Sequence, residues 1–196
     1  MQQVLSERLL PRSRSTWLAE ALLIMLAALF IAALAQLRIP LQPVPITGQT
    51  LAVLLVGMAL GARRGALAVV AYLAMSVAGL PFFTGAQSGL AYMSGSTGGY
   101  LVGFVPAAAL VGWLAEHGWD RTLGKTLLAM LLGNLVIYAL GVSWLAVLLG
   151  GFLGPKGSLA LGLVPFLLGD VLKALVAALL LPTAWMLINE QHALRR

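Results

Sequence analysis

Long stretches without charge constrain this chain more than any other feature of its sequence. No charged residue lies between Arg64 and Glu116, and from Leu159 to Asn189 only Asp170 and Lys173 carry charge. Hydrophobic residues make up 61% of the 196 residues, and charged residues 9%. This composition is far from that of soluble proteins, and a helix needs about 20 apolar residues to cross a bilayer. The sequence therefore predicts an all-α integral membrane protein.

The apolar runs, and the residues that interrupt them, predict six transmembrane helices near 17–37, 49–62, 65–79, 97–116, 125–149 and 162–188. Residues 17–190 would form one helical domain between an N-terminal segment, 1–16, and a tail, 191–196. Ala33-Leu34-Ala35 also resembles a signal-peptidase site behind a basic leader. The apolar run continues to Leu37, which favours a first helix that is retained.

The basic residues indicate orientation rather than nucleic-acid binding. Most of them fall on one side of a six-helix bundle: Arg8, Arg12, Arg14, Arg63, Arg64, Arg121, Lys125, Arg195 and Arg196. The opposite side carries Arg38 and Lys156. Cytoplasmic loops are enriched in Lys and Arg, so both termini are predicted to be cytoplasmic. The net charge of +6 thus reflects contact with the bilayer and its surfaces.

Asp170 and Lys173 form the strongest candidate site. An ionisable group at bilayer depth costs roughly 2.5–3.5 kcal/mol on insertion scales, so it lies against a partner, a water-filled cavity or a ligand. The i, i+3 spacing places both side chains on one helix face. A structural ion pair is the alternative. A binding pair would suit a small molecule with N–H donors at one end and an anionic tail.

Further polar candidates flank this pair. Asn134 and Tyr138 lie i, i+4 on the fifth helix, where Asn is either a hydrogen bond between helices or a ligand contact. Thr47 and Gln49 stand where a proline-rich outer loop enters the second helix, and Thr47 would otherwise be an N-cap.

Aromatic and small residues complete the candidate set. Phe82, Tyr92 and Trp144 would wall an apolar pocket or lie at the membrane interface. Gly98, in the Gly-rich segment that opens the fourth predicted helix, would let the backbone approach a ligand. Ala28 and Ala32 form a small-x-x-x-small pattern, which is typical of helix packing in lipid and predicts a surface for a partner.

The missing motifs argue against catalysis. The sequence has no Cys, no phosphate-binding loop of the form G-x-x-x-x-G-K-[ST] and no H-E-x-x-H metal motif. His117 and His192 lie in polar flanks, so no predicted span holds a base for a nucleophile. We therefore expect neither an enzyme nor a metal or other cofactor.

Five segments, taken together, resemble the BioY family. They are Val44-Pro45-Ile46-Thr47-Gly48-Gln49-Thr50, Gly79-Leu80-Pro81-Phe82-Phe83, Thr97-Gly98-Gly99-Tyr100-Leu101-Val102-Gly103-Phe104, Gly133-Asn134 with Ile137-Tyr138, and Pro165-Phe166-Leu167-Leu168-Gly169-Asp170 with Lys173. Members of this family are the biotin-specific substrate-binding (S) components of energy-coupling factor (ECF) transporters. The resemblance spans most of the chain from Ala28 onward.

The resemblance implies an S-component fold in a bacterial plasma membrane and high-affinity capture of biotin from the outer face. A transmembrane coupling protein and ABC-type ATPases would power uptake. It also implies that Asp170, Lys173 and Asn134 contact the ligand and that Ala28 and Ala32 meet the coupling protein. Biotin offers ureido N–H donors, a ureido carbonyl, an apolar ring and a carboxylate tail, which these side chains could satisfy.

Two other classes of function stay open. A stand-alone carrier for a small anionic vitamin could use Asp170 as a proton or sodium coupling site, but its usual inverted repeats with broken helices are not visible. A scaffolding membrane protein would leave the Asp170–Lys173 pair unexplained.

Overall fold

A computed structural model describes residues 3–6 and 16–194, with side chains omitted at 189 and 191–194. Its helices are Trp17–Ala35 (α1), Gln49–Leu60 (α2), Ala62–Val77 (α3), Gly89–Met93 (α4), Gly98–Glu116 (α5), Leu123–Leu149 (α6), Ser158–Gly162 (α7) and Leu167–Leu194 (α8). A two-stranded antiparallel sheet pairs Arg38–Ile39 (β1) with Ile46–Thr47 (β2). Within these residues, six helices have twelve or more residues, in agreement with the six predicted.

The helix boundaries differ from the predicted ones where distant residues take part. α3 begins at Ala62 rather than near residue 65, because the Glu116 carboxylate accepts a hydrogen bond of 3.1 Å from the Ala62 N–H. A carboxylate at a helix N-terminus satisfies an otherwise unpaired donor and favours the helix dipole. Gly61, with φ +85°, allows the sharp turn from α2 into α3.

The last predicted helix, 162–188, is divided at its start. α7 ends at Gly162, a 3₁₀ turn spans Val164–Phe166, and α8 then runs to Leu194. Pro165 lies within the 3₁₀ turn, where its missing N–H breaks no α-helical hydrogen bond. Asp170 consequently lies in the first turn of α8, which also continues into the predicted tail.

The proline-rich outer loop forms a β-hairpin, which the sequence did not predict. Arg38 pairs with Thr47, and Ile39 with Ile46. The loop between them is fastened by the Ser96 hydroxyl, which donates to the Pro43 carbonyl at 2.5 Å. The hairpin therefore lies across the outer end of the helices.

α5 is the central helix, because 67% of its most apolar 18-residue stretch is buried, whereas the corresponding share in α1 is 28%. The peripheral helices turn apolar faces outward: on α8, Leu168, Leu172 and Leu179 are exposed, whereas Ala174 and Ala177 are buried. Four helices of the described chain are long and apolar enough to cross a bilayer, and α2 is a shorter apolar helix. This pattern is that of a bundle surrounded by lipid.

We call the end with the connections 61–62 and 117–122 the inner end, and the end with the hairpin the outer end. At the inner end, Glu20 binds the Arg64 guanidinium through both carboxylate oxygens. The predicted basic clusters at Arg8, Arg12 and Arg14 and at Arg195 and Arg196 lie outside the described residues. The cytoplasmic orientation of both termini stays a prediction.

Asp120 also lies at the inner end and is fully buried. Its Oδ2 accepts a hydrogen bond of 2.5 Å from the Trp185 indole, and Arg121 lies 4.4 Å from the centre of that ring. Burial raises the pKa of the Asp120 carboxyl above its usual range, and the indole hydrogen bond and the Arg121 charge offset only part of this shift.

Ala28 and Ala32 lie inside the bundle rather than on its surface. They are 0% and 5% exposed, and α1 presents Leu22, Leu29 and Ala33 to the outside. In this structure the small residues let α1 pack closely against its own chain. The contact of Ala28 and Ala32 with a coupling protein stays a prediction. Because both side chains are buried, this contact would require α1 to move away from the bundle.

Candidate functional site

A cavity of about 460 Å³, counting its mouth, lies below the hairpin between α2, α5, α6 and α8. One part of the wall is apolar and consists of Val44, Leu101, Phe104, Ile137 and Phe166. The polar part consists of Thr47, Gln49, Thr50, Thr97, Tyr100, Tyr138, Asp170 and Lys173.

The charged pair forms one end of this cavity. The Lys173 ammonium donates to Asp170 Oδ1 at 2.9 Å and to Thr50 Oγ1 at 2.8 Å, and the Tyr138 hydroxyl donates to Asp170 Oδ2. An ammonium has three donors and a carboxylate has about four acceptor positions. Lys173 therefore keeps one N–H, and Asp170 keeps about two lone pairs, for a molecule in the cavity.

Asn134 lies one helical turn inward from Tyr138, on the same face of α6. It is 6% exposed, and its Oδ1 has no hydrogen-bond partner. An unsatisfied buried amide oxygen costs about 1–3 kcal/mol. Asn134 is not among the residues that line the cavity, so a ligand donor would have to reach one helical turn further inward to meet this free acceptor.

Gln49 fastens the outer side of the cavity. Its side-chain N–H donates to the Tyr72 hydroxyl at 2.5 Å, and its Oε1 accepts from Thr84 at 3.0 Å and from Thr47 at 3.1 Å. These four residues come from β2, α2, α3 and the loop that follows α3. One buried amide thus joins the hairpin to the segment 78–97, which includes α4 and which we call the second outer loop.

The comparisons with known proteins identify the fold that holds this cavity. The family model for BioY matches residues 6–190. This chain belongs to the BioY family. It resembles the "Biotin transporter BioY" of Rhizobium etli, with 43% identity over 70% of this chain and 76% of that protein. It also resembles the "Biotin transporter BioY2" of Lactococcus lactis, with 37% identity over 85% of this chain and 90% of that protein.

A solved structure shows the same architecture. The S component for biotin from an ECF-type ABC transporter superposes with a TM-score of 0.74 and 26% identity, over 85% of this chain and 90% of that one. The predicted S-component fold in a multi-pass membrane protein is therefore confirmed. The relatives are transporters, in line with the prediction that this BioY-family chain is not an enzyme.

The structure gathers half of the ten predicted binding residues around the cavity of this BioY-family chain: Thr47, Gln49, Tyr138, Asp170 and Lys173. Asn134 lies just below them. Tyr92 lines a neighbouring outer pocket, where its ring stacks on Phe83 at 4.9 Å. That these predicted residues contact a ligand stays a prediction.

Three predicted residues lie away from the cavity. Trp144 is 41% exposed, and its indole donates to the Gly95 carbonyl at 2.9 Å. Gly98 starts α5 beside this indole, and a side chain there would overlap the Met93 carbonyl. The Phe82 carbonyl accepts hydrogen bonds from Gln36 and Tyr72. These three residues hold the outer loops in place.

Several residues outside the ten predicted binding residues also line the cavity. Thr50 binds the Lys173 ammonium, and the Tyr100 hydroxyl donates to the Gly162 carbonyl at 2.7 Å, so that α5 is joined to the segment before α8. Tyr100 belongs to the Thr-Gly-Gly-Tyr run that carries the resemblance, and this run was the available signal. Phe166 and Ile137 gave no signal, because an apolar residue in an apolar span does not reveal which way it faces.

Proposed function

We propose that this chain binds biotin in the cavity at its outer end and mediates biotin uptake, with energy supplied by a transmembrane coupling protein and ABC-type ATPases. One observation carries this function: a charged pair with unused hydrogen-bonding positions borders a cavity whose wall combines apolar side chains with neutral hydroxyl and amide groups. Such a site matches a molecule with an apolar ring, N–H donors and an anionic tail. The names of similar proteins support the choice of biotin.

Asp170, Lys173 and Asn134 are proposed as the ligand contacts. Asp170 would accept from a ureido N–H, because its carboxylate is already oriented by Tyr138 and Lys173. The free N–H of Lys173 would pair with an acceptor of the ligand. Thr47 and Gln49 would close the cavity over the ring.

The test is a calorimetric titration of the purified chain with biotin and, as a matched control, with lipoate. Lipoate has an apolar ring and a carboxylate tail but no ureido group. We expect strong binding of biotin and at least tenfold weaker binding of lipoate, because a ligand without N–H donors leaves the buried carboxylate unsatisfied. Equal affinities, or no binding of biotin, would contradict the proposal.

A second measurement tests how uptake is energised. The biotin affinity should not change with sodium and should not change between pH 6 and pH 8, whereas a carrier coupled at Asp170 would show such a dependence. Uptake of labelled biotin by cells should fall when the phosphate-binding Lys of the co-purifying ATPases is replaced. Uptake that continues unchanged would favour the stand-alone carrier.

A further inference from the structure

A second pocket adjoins the cavity on its outer side. The two share Pro45 and Thr97. The outer pocket measures about 780 Å³, counting its mouth, and is lined by Arg38, Pro40, Leu41, Gln42, Pro43, Thr84, Gln87, Ala91, Tyr92, Gly95 and Ser96 in addition to the shared residues. All of these belong to the hairpin, the second outer loop or the start of α5. A molecule that reaches the cavity from outside therefore meets this pocket first.

Arg38 brings an uncompensated positive charge to the outer pocket. No Asp or Glu lies between Glu20 and Glu116 in the sequence, so neither the hairpin nor the second outer loop supplies a carboxylate. Among the described residues, the ion pairs are Arg64–Glu20 and Lys173–Asp170, and Arg38 takes part in neither. Its guanidinium is thus available to an anion from outside.

The backbone holds this guanidinium at the pocket. Arg38 is directly opposite Thr47 in the β-hairpin, and Thr47 lines the inner cavity. The guanidinium also lies against Gly85, which has φ +74°, and a side chain at this position would displace it. The hairpin register therefore places Arg38 directly opposite a residue that lines the inner cavity.

The other polar side chains of the pocket are neutral hydrogen-bonding groups, namely Gln42, Thr84, Gln87, Tyr92, Ser96 and Thr97. A guanidinium beside amide and hydroxyl donors binds carboxylates, often through two parallel hydrogen bonds. The pocket lining contains no acidic residue that would repel an anion. The chemistry of the outer pocket is therefore that of a carboxylate site.

We propose that the outer pocket is a second binding site in which Arg38 holds the carboxylate of the incoming ligand before its ring enters the cavity. This proposal rests on the proposed function, because it takes biotin as the ligand. A fixed charge at the mouth of a site raises the local concentration of an oppositely charged ligand and so its association rate. Once the ligand lies in the cavity, its dissociation depends on the inner contacts.

The experiment compares Arg38→Gln with Lys156→Gln by stopped-flow measurement of biotin binding in phosphatidylcholine nanodiscs. Lys156 is the matched control, because it is an exposed cation of the outer loop between α6 and α7 and lines a different pocket. At low salt we expect Arg38→Gln to reduce the association rate about three- to tenfold, with a dissociation rate close to that of the wild type. The difference should shrink as salt is added, and Lys156→Gln should behave like the wild type.

Biotin methyl ester tests whether the carboxylate is the group recognised. Because it carries no charge, it should associate with the wild type and with Arg38→Gln at equal rates. Arg38→Lys, which keeps the charge but loses the planar fork, should recover part of the association rate. An unfolding temperature equal to that of the wild type confirms that Arg38→Gln is folded.

Four results would overturn the proposal. These are unchanged association of biotin with Arg38→Gln, an equal loss with Lys156→Gln, an equal loss for the methyl ester, and a loss that occurs only in nanodiscs containing phosphatidylglycerol. The last would assign the effect to lipid phosphate. If the wild type binds no biotin, both this proposal and the proposed function fail. If it binds biotin and Arg38→Gln is indistinguishable, only the outer site fails.

Discussion

Buried charges occur at both ends of the bundle, but their surroundings differ. At the inner end, Arg64 is 3% exposed and is bound by both carboxylate oxygens of Glu20, and Glu116 accepts from the Ala62 N–H. At the outer end, Asp170 is 7% exposed, and with Lys173 it borders the cavity. Arg64 and Glu116 are thus paired with groups of the protein. The outer pair keeps positions that the protein does not fill.

This difference separates a structural charge from a binding charge. Removing one partner of a paired buried charge leaves the other desolvated, so the fold suffers. Removing a group that faces a cavity mainly changes what the cavity can hold. Sequence patterns cannot make this distinction, since both kinds are charged residues in apolar surroundings.

The largest expected effect comes from breaking the inner pair. Arg64→Gln should destabilise the protein by about 1.5–3 kcal/mol, because charge-assisted hydrogen bonds between a buried guanidinium and Glu20 are lost. We expect a lower unfolding temperature and less monodisperse protein in size-exclusion chromatography, while the folded fraction keeps its affinity for biotin. Arg63→Gln is the matched control, since this neighbouring arginine is exposed. If Arg64→Gln were as stable as Arg63→Gln, the inner pair would not be structural.

A substitution at Ala28 tests the same distinction between a structural and a binding role at a position without charge. Ala28→Trp should destabilise the protein by about 1–3 kcal/mol or more, because the indole has no space in a fully buried position. Ala33→Trp places the same ring on the exposed face of α1 and should leave folding intact. Unfolding temperatures of the two variants provide the measurement. A stable Ala28→Trp protein that binds biotin but fails in uptake would instead support the predicted contact with the coupling protein.

At the outer end, Asp170→Asn should weaken biotin binding about tenfold or more, a loss of about 1.4 kcal/mol, while the protein stays folded. The amide keeps the shape of the side chain but loses the charge that Tyr138 and Lys173 support. Titration calorimetry measures the affinity, and the unfolding temperature reports on the fold. Unchanged affinity together with a strongly lowered unfolding temperature would make Asp170 a structural group like Arg64.

The contacts of Asn134 do not show whether it is a structural or a binding residue, because its Oδ1 is buried and unpaired. We expect Asn134→Leu to reduce biotin affinity about fivefold, by the loss of one hydrogen bond, without lowering the unfolding temperature. The same two measurements apply. A lower unfolding temperature with normal affinity would show that Asn134 bonds another helix.

The smallest effect concerns Asp120, whose pKa is raised by burial at the inner end. In the folded protein this carboxyl holds its proton to a higher pH than in the unfolded chain. Stability is therefore lost as the pH rises from the unfolded pKa through the folded one. Relative to Asp120→Asn, the unfolding temperature of the wild type should fall as the pH is raised above about 4, the usual pKa of an aspartate in an unfolded chain. Parallel pH profiles of the two proteins would contradict this.

The sequence predicted the helices well, because apolar runs and their breakers are local signals. It missed what distant residues determine. The start of α3 at Ala62 depends on Glu116, more than fifty residues later, and the hairpin depends on a register between Arg38 and Thr47 that prolines do not reveal.

The candidate site was predicted where charge or polarity is unusual in a span, as at Asp170 and Lys173. Where the direction of a side chain depends on how its helix is rotated about its axis, residues that lie away from the cavity were also assigned to the site. Trp144 lies one to two turns beyond Tyr138 on α6, yet its ring points away from the cavity and toward Gly95. The burial of Ala28 was unpredictable for a similar reason, since a small-residue pattern does not reveal which helix packs against it.

The hydrogen bonds of Gln49 have a kinetic consequence. Because a single side chain ties two separate covering segments to one another, neither can swing aside while the other stays in place. Exchange of a molecule with the outside would then require both segments to open together, a step that is added to the breaking of its contacts inside.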